Sequence, residues 1–177
     1  FGDVGIESSF AGPSEILIVC DKFSNFEWVA SDLVGQAEHD TLAQCILISK
    51  NQNLLEKVKL EVFKQLKKIP RSLIAKKSLI NNGILMQISS DKKIIDIINK
   101  IAPEHLELNI KNYRSFLSKI KNSGSICLGK YTVMAMTDYG VPGTNHVLPT
   151  NMTSRYSSGL SVSEFIKKIS YINLSKK

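Results

Sequence analysis

Glu15-Ile16-Leu17-Ile18-Val19-Cys20 is the stretch that decides the fold. The apolar run behind Glu15 leaves no face for water, so a strand here is covered on both sides. Strands of that kind belong to parallel sheets, where crossover helices cover both faces. Asp21 ends the run. Ser24 or Asn25 supplies an N-cap for a helix over 26–38, with Trp28, Val29, Leu33 and Val34 near one face.

The same alternation continues outward. Residues 45–49 read as a second buried strand, and 54–68 as an amphipathic helix with Leu55, Val58, Val62, Phe63 and Leu66 inward. Pro70 stops that helix, and a short helix through Ile74 follows it. A third strand is expected at 83–88, then a helix over 91–101 with Ile94, Ile95, Ile97, Ile98 and Ile101 as its apolar set. Pro103 ends that helix and biases Ala102 away from helical angles. Residues 106–109 read as a short strand, 112–120 as a helix and 125–128 as a strand. The expected architecture is α/β with a largely parallel sheet. Residues 130–160 hold three glycines, two prolines and no clear period, which marks a long functional loop or disorder. Ser161-Val-Ser-Glu164 is a capping-box signal for a last helix through Ile169. The expected division is an α/β domain over 1–150 and the start of a C-terminal helical unit over 151–177.

At 177 residues the chain is about one domain long, and its 43% hydrophobic and 22% charged content is that of an ordinary globular protein. No apolar run approaches the ~20 residues that span a bilayer, and no signal-peptide pattern opens the chain. It starts on Phe1 rather than methionine, as expected of a segment from inside a longer protein. The net charge of +7 invites a nucleic-acid reading, but only Arg71, Arg114 and Arg155 are arginines. The remaining basic residues are lysines scattered along helix-like segments, the pattern of solvated faces. Cys20, Cys45 and Cys127 are far apart in apolar runs with no CxxC pair. They read as buried free thiols of a reducing compartment. The expected setting is cytoplasmic, with neither nucleic acid nor membrane as partner.

Only three histidines occur, each beside carboxylates or amides. Histidine is suited both to metal binding and to proton transfer near neutral pH. Gln36 and His39, three apart on the predicted first helix, project from one face and can deliver two ligands to one ion. Glu104 and His105 are adjacent in an extended stretch, so their side chains are expected on opposite sides, serving two proton-transfer tasks. Asp138 lies in the long loop, where a carboxylate can complete a metal site, and His146 sits in a rigid bend between Gly143 and Pro149. Ala11-Gly-Pro-Ser-Glu15 enters the first strand by a turn that presents the Ser14 hydroxyl. There is no GxGxxG and no P-loop motif, so a self-contained nucleotide fingerprint is missing.

These motifs resemble, in order and near spacing, the histidinol dehydrogenase family. The resemblance rests on Ala11–Glu15, Trp28-Val-Ala-Ser-Asp-Leu33 with Gln36-Ala-Glu-His39, Pro103-Glu-His-Leu-Glu107, Ser123-Gly-Ser125 with Leu128-Gly129, Asp138-Tyr139, Gly143–Thr150 and Ser157–Val162. It implies an incomplete Rossmann-like domain and oxidation of L-histidinol through histidinal to L-histidine, with NAD reduced and one Zn2+ bound per subunit of a homodimer. By resemblance, Gln36, His39 and Asp138 are zinc ligands and Glu104 and His105 the catalytic pair. Ser14, Gln36, His39, His105, Asp138 and His146 are then substrate contacts. The family's NAD contacts correspond to positions before Phe1, so no residue here is assigned to the cofactor. A fourth zinc ligand and a substrate-binding glutamate fall after Lys177 in the family and come from the second subunit. Thr137 stands where the family has glycine, and Val133-Met134 where it has a proline-containing turn. The alternative reading is a non-catalytic remnant that keeps the fold. A lysine-rich nucleic-acid binder is the third.

Overall fold

The computed structural model describes residues 12–138 and 146–175, with Asp138 defined by its backbone. The strands are β1 (Glu15–Cys20), β2 (Gln44–Ser49), β3 (Gly83–Gln87), β4 (His105–Asn109) and β5 (Ser125–Leu128). Between and after them come α1 (Phe26–Ala37), α2 (Gln52–Leu66), α3 (Ser72–Asn82), α4 (Asp91–Ile101), α5 (Arg114–Leu117) and α6 (Ala135–Asp138). The strands form one sheet in the order β3-β2-β1-β4-β5, and all four pairings are parallel. This is the order of a doubly wound Rossmann sheet without its sixth strand, and the switch point lies between β1 and β4.

Period-two alternation sorts the strands between two cores. Ile16, Ile18 and Cys20 of β1 join Val29, Leu33, Leu55 and Val58 under α1 and α2. Leu17 and Val19 join Ile46, Ile48, Ile94, Ile98, Leu106 and Leu108 under α4. β4 differs from β1 in one respect. Its sequence HLELN gives Leu106 and Leu108 to the α4 core, so His105, Glu107 and Asn109 share the α1 face. All three are buried there.

Several elements follow local chemistry closely. Asn25 caps α1 by accepting from the backbone of Glu27 and Trp28. Ala102 ends α4 in the left-handed region at φ 53, outside the right-handed helical angles that the following proline disfavours. Other elements depart from expectation. α3 runs over eleven residues, Ser72–Asn82, not one short turn. Its inward positions are the small residues Ala75 and Ser78, which an apolar count passes over, and Ser78 Oγ donates to Ala43 O at 2.8 Å. The expected helix over 112–120 shrinks to Arg114–Leu117. The helix expected through Ile169 does not form. Val162–Phe165 is a single 3-10 turn without a side-chain cap, and Phe165, Ile166, Ile169, Tyr171 and Leu174 beyond its start are all exposed. A short amphipathic helix depends on a packed face, and these apolar residues have none among the described residues. Trp28 and Phe63 are likewise half exposed rather than core.

Candidate active site

Ser14, Gln36, Glu104 and His105 lie at the amino edge of the sheet. A crossover helix runs antiparallel to its strands, so the end of α1 returns the chain to where strands begin. Gln36 and His39 therefore lie opposite the carboxyl edge, where loops of such sheets usually collect ligands. Gln36 is 1% exposed, and its Oε1 is buried with no hydrogen-bond partner. α1 ends at Ala37, so His39 sits outside the helix, in a turn closed by its N–H donating to Gln36 O at 3.3 Å. Its side chain is exposed. Its carbonyl accepts from Arg71 Nη2 at 3.1 Å.

Glu104 and His105 stand at the start of β4, 6% and 4% exposed. They do not point to opposite sides: Glu104 Oε1 is 3.6 Å from His105 Nε2. Alternation fails because Glu104 precedes the strand, and its carboxylate folds back to accept from Glu15 N at 2.9 Å. His105 Nδ1 is 3.0 Å from Ser125 Oγ at the start of β5, its register partner. A serine hydroxyl at Nδ1 fixes the ring and leaves Nε2 turned to the carboxylate.

Sequence reasoning gave Glu15 no role. Its Oε2 accepts from Glu104 N at 3.3 Å and its Oε1 from Asn151 N at 3.1 Å. The available signal was a carboxylate opening an otherwise apolar buried strand. Burial raises the Glu15 pKa, while the N–H bonds from Asn151 and Glu104 oppose that rise.

A second buried carboxyl pair was also missed. Asp32, one turn before Gln36 on α1, hydrogen-bonds Glu107, two residues after His105. Desolvation raises both, pushing Asp32 up to about 7 and Glu107 well above the ordinary carboxylate range. The contact between them lowers Asp32 and raises Glu107, which the neighbouring Asp32 charge raises further. Glu107 Oε1 also accepts from Met134 N at 2.7 Å, directly before α6. Glu107 thus joins the helix bearing Gln36 to the turn bearing Asp138. Cys127, opposite Glu107 on β5, is pushed up to about 12 by burial and by these two carboxyls.

Ser14 precedes β1, and its carbonyl accepts from Gln44 N at 3.0 Å. His146 is exposed. The Asp138 side chain, Ala11, Tyr139 and Gly143 lie outside the described residues. Among the described residues no group of three His, Cys, Asp or Glu side chains surrounds one point. The long loop folds back over the amino edge. Ser154 Oγ donates to Ala102 O at 2.8 Å, Leu160 N to Val147 O at 2.9 Å, and Arg155 Nη2 to Lys100 O. No helix among the described residues is long and apolar enough to cross a membrane.

A doubly wound parallel sheet with a buried carboxylate–imidazole pair defines an α/β protein of the Rossmann type. Comparison with known proteins makes the class specific. The histidinol dehydrogenase family profile matches residues 1–177. Histidinol dehydrogenase of Pelagibacter ubique is 71% identical over 177 residues, which cover 100% of this chain and 41% of that protein. The Nitrosospira multiformis enzyme of the same name is 46% identical over 175 residues, covering 99% of this chain and 39% of that protein. The crystal structure of histidinol dehydrogenase from Elizabethkingia anophelis superposes with a TM-score of 0.86 at 42% identity, over 90% of this chain and 36% of that one. The chain belongs to the histidinol dehydrogenase family, an oxidoreductase family, and spans about 41% of the length of that first relative.

Proposed function

We propose that, in a protein of its relatives' length, this chain carries the acid–base residues for NAD-dependent oxidation of L-histidinol through histidinal to L-histidine. The observation that carries the reading is the buried Glu104–His105 pair, 3.6 Å apart at the amino edge, in a chain of this family. An alcohol is oxidised by losing its hydroxyl proton and a hydride from carbon. His105, held at Nδ1 by Ser125, takes the proton, and NAD would supply the acceptor for the hydride, leaving histidinal. An aldehyde has no hydroxyl to ionise, so water adds first. Glu104 takes one proton from that water as it adds; NAD would supply the acceptor for the hydride that then leaves carbon, and the resulting acid loses its remaining hydroxyl proton to solvent to give the carboxylate.

Gln36, His39 and Asp138 are proposed to hold zinc. The buried, unpartnered Oε1 of Gln36 supports this, because a cation is the partner such an oxygen lacks. When bound, the ion serves as a template and Lewis acid for the substrate's amine and imidazole. Ser14 and His146 are proposed substrate contacts. A cytoplasmic homodimer is the proposed setting, and three buried free cysteines suit a reducing compartment.

The test is to exchange this chain for the corresponding segment of the Pelagibacter ubique protein and assay each half-reaction. Glu104→Gln is expected to slow histidinal oxidation by about 10²–10⁴-fold, and His105→Gln to slow both steps. A Glu104→Gln loss confined to the alcohol step overturns these roles. His39→Ala is expected to lower zinc affinity in a titration, and an unchanged affinity removes it from the ligand set.

A further inference from the structure

We infer that Glu15 is a positioning residue whose carboxylate holds Glu104 in its working orientation and ties the 148–154 loop to it; this rests on the reading of Glu104 given above. β1 and β4 are neighbours in register, with Ile16 opposite His105, so Glu15 and Glu104 stand side by side just before that pair. Each accepts the other's backbone N–H. Glu15 N donates to Glu104 Oε2 at 2.9 Å, and Glu104 N donates to Glu15 Oε2 at 3.3 Å. With Oε2 of Glu104 held this way, its Oε1 is the oxygen that faces His105 Nε2.

The remaining oxygen of Glu15 binds the loop. Asn151 N donates to Glu15 Oε1 at 3.1 Å, and Asn151 and Met152 sit at φ 51 and φ 63. Left-handed backbone at two successive non-glycine residues is costly and persists only where surrounding contacts hold it. The packing around the clamp leaves no slack. A Cβ on Gly12 would lie 2.7 Å from Thr150 Oγ1, and one on Gly124 would lie 2.6 Å from Glu104 O.

Both oxygens of Glu15 therefore act as acceptors, each for a different backbone N–H. Only a carboxylate meets that demand. A glutamine offers one oxygen and sets an N–H against the other donor. An aspartate keeps both oxygens but is one methylene short.

The experiment uses the same chimera with Glu15→Gln, Glu15→Asp and Glu104→Gln, assayed separately with histidinol and histidinal. Glu15→Gln is expected to lower kcat for histidinal oxidation by roughly 10–100-fold, since misplacing a catalytic group by about 1 Å costs on that order. The KM for histidinol is expected to stay within about threefold, and the acid limb of the histidinal pH profile to move with the surroundings of Glu104. Glu15→Asp should show the same substrate-selective pattern at smaller amplitude, which keeps the test readable if the glutamine variant folds poorly. A purely structural role would lower both half-reactions equally and leave the pH profile in place, and that result overturns the proposal. A silent Glu15→Gln beside a crippled Glu104→Gln overturns the proposal alone. A silent Glu104→Gln overturns the reading of Glu104 and this proposal with it.

Discussion

The two edges of the sheet solve opposite problems. At the carboxyl edge, the switch point between β1 and β4 is closed by the chain itself. Asp21 accepts from Phe23 N at 2.9 Å and from Lys111 N at 2.8 Å. Ser24 Oγ accepts from Asp21 N at 3.0 Å and donates to Asn109 O at 2.5 Å. The backbone amides that would receive an anion there already have a carboxylate. A cleft of about 310 Å³ remains beside it, lined by Phe23, Tyr113, Lys111 and Lys130. At the amino edge, by contrast, carboxylates are buried deeper and joined to one another's strands, and Gln36 Oε1 has no hydrogen-bond partner. The buried carboxylates here are held by backbone amides, Glu15 N and Glu104 N from the strand starts and Asn151 N from the loop. A doubly wound sheet therefore does not dictate which edge works. Here a carboxylate of the chain occupies the loop amides of the usual edge, although Asn109 Oδ1 is left without a partner there, and the Glu104–His105 pair lies at the other edge.

The largest effect that can break this contrast is expected at Glu107. Glu107→Ala leaves Met134 N–H and Asp32 without their buried partner. A loss of about 2–4 kcal/mol in urea denaturation is expected. Glu107→Gln mimics the protonated acid, accepting from Met134 N and donating to Asp32, and should stay within about 1 kcal/mol of the parent. Equal losses for the two variants would mean that Glu107 does not donate to Asp32.

The next effect is a pH dependence. Asp32 is raised from 3.8 to about 7 in the folded chain. A raised carboxylate means the folded state binds more protons than the unfolded state between those values, so its contribution is complete below about pH 4 and lost as pH rises through about 7. Stability is therefore expected to fall over that window. Asp32→Asn should flatten the fall and be more stable than the parent by roughly 1–2 kcal/mol at pH 8. A steeper fall in the variant would show that the proton lies elsewhere.

Smaller still is the effect of opening the other edge. Asp21→Ala removes one acceptor for two loop amides near solvent, expected to cost about 1 kcal/mol. In the chimera it should leave kcat within about twofold. A loss of kcat as large as that from an amino-edge carboxylate would erase the distinction between the edges.

The sequence showed much of the scaffold because its strands and helices carry strong apolar periods. The α4 boundaries and β5 came out as expected, and the run 15–20 marked the parallel sheet. What it hid has physical causes. α3 packs through Ala75 and Ser78, whose small side chains leave no apolar period. The expected terminal helix had a cap signal but no packed face among the described residues. In the site, a residue's own motif could be read, but contacts between distant segments could not. Glu15 and Glu104 are 89 positions apart, and nothing local shows that each accepts the other's N–H. The alternation HLELN was visible, yet the role of Glu107 depends on Asp32, far away on α1. Adjacency also misled: Glu104 and His105 meet because the first lies outside the strand that the second begins.

The smallest expected effect tests how firmly the amino edge is held from behind. Gly35 lies in α1 directly before Gln36, and a Cβ there would meet nothing within 4 Å. Glycine inside a helix costs about 0.5–1 kcal/mol relative to alanine, mostly through the freedom it gives the unfolded chain. Gly35→Ala should therefore raise stability by that amount, read as a higher urea midpoint with unchanged slope. Its effect on turnover decides something the static geometry does not. If α1 is a fixed post that presents Gln36, stiffening it leaves both half-reactions of the chimera unchanged. If turnover instead drops while stability rises, the last turn of α1 must move during the reaction. The amino edge would then be the yielding edge of the sheet and not only the reactive one. A destabilised Gly35→Ala would contradict the open space beside that position.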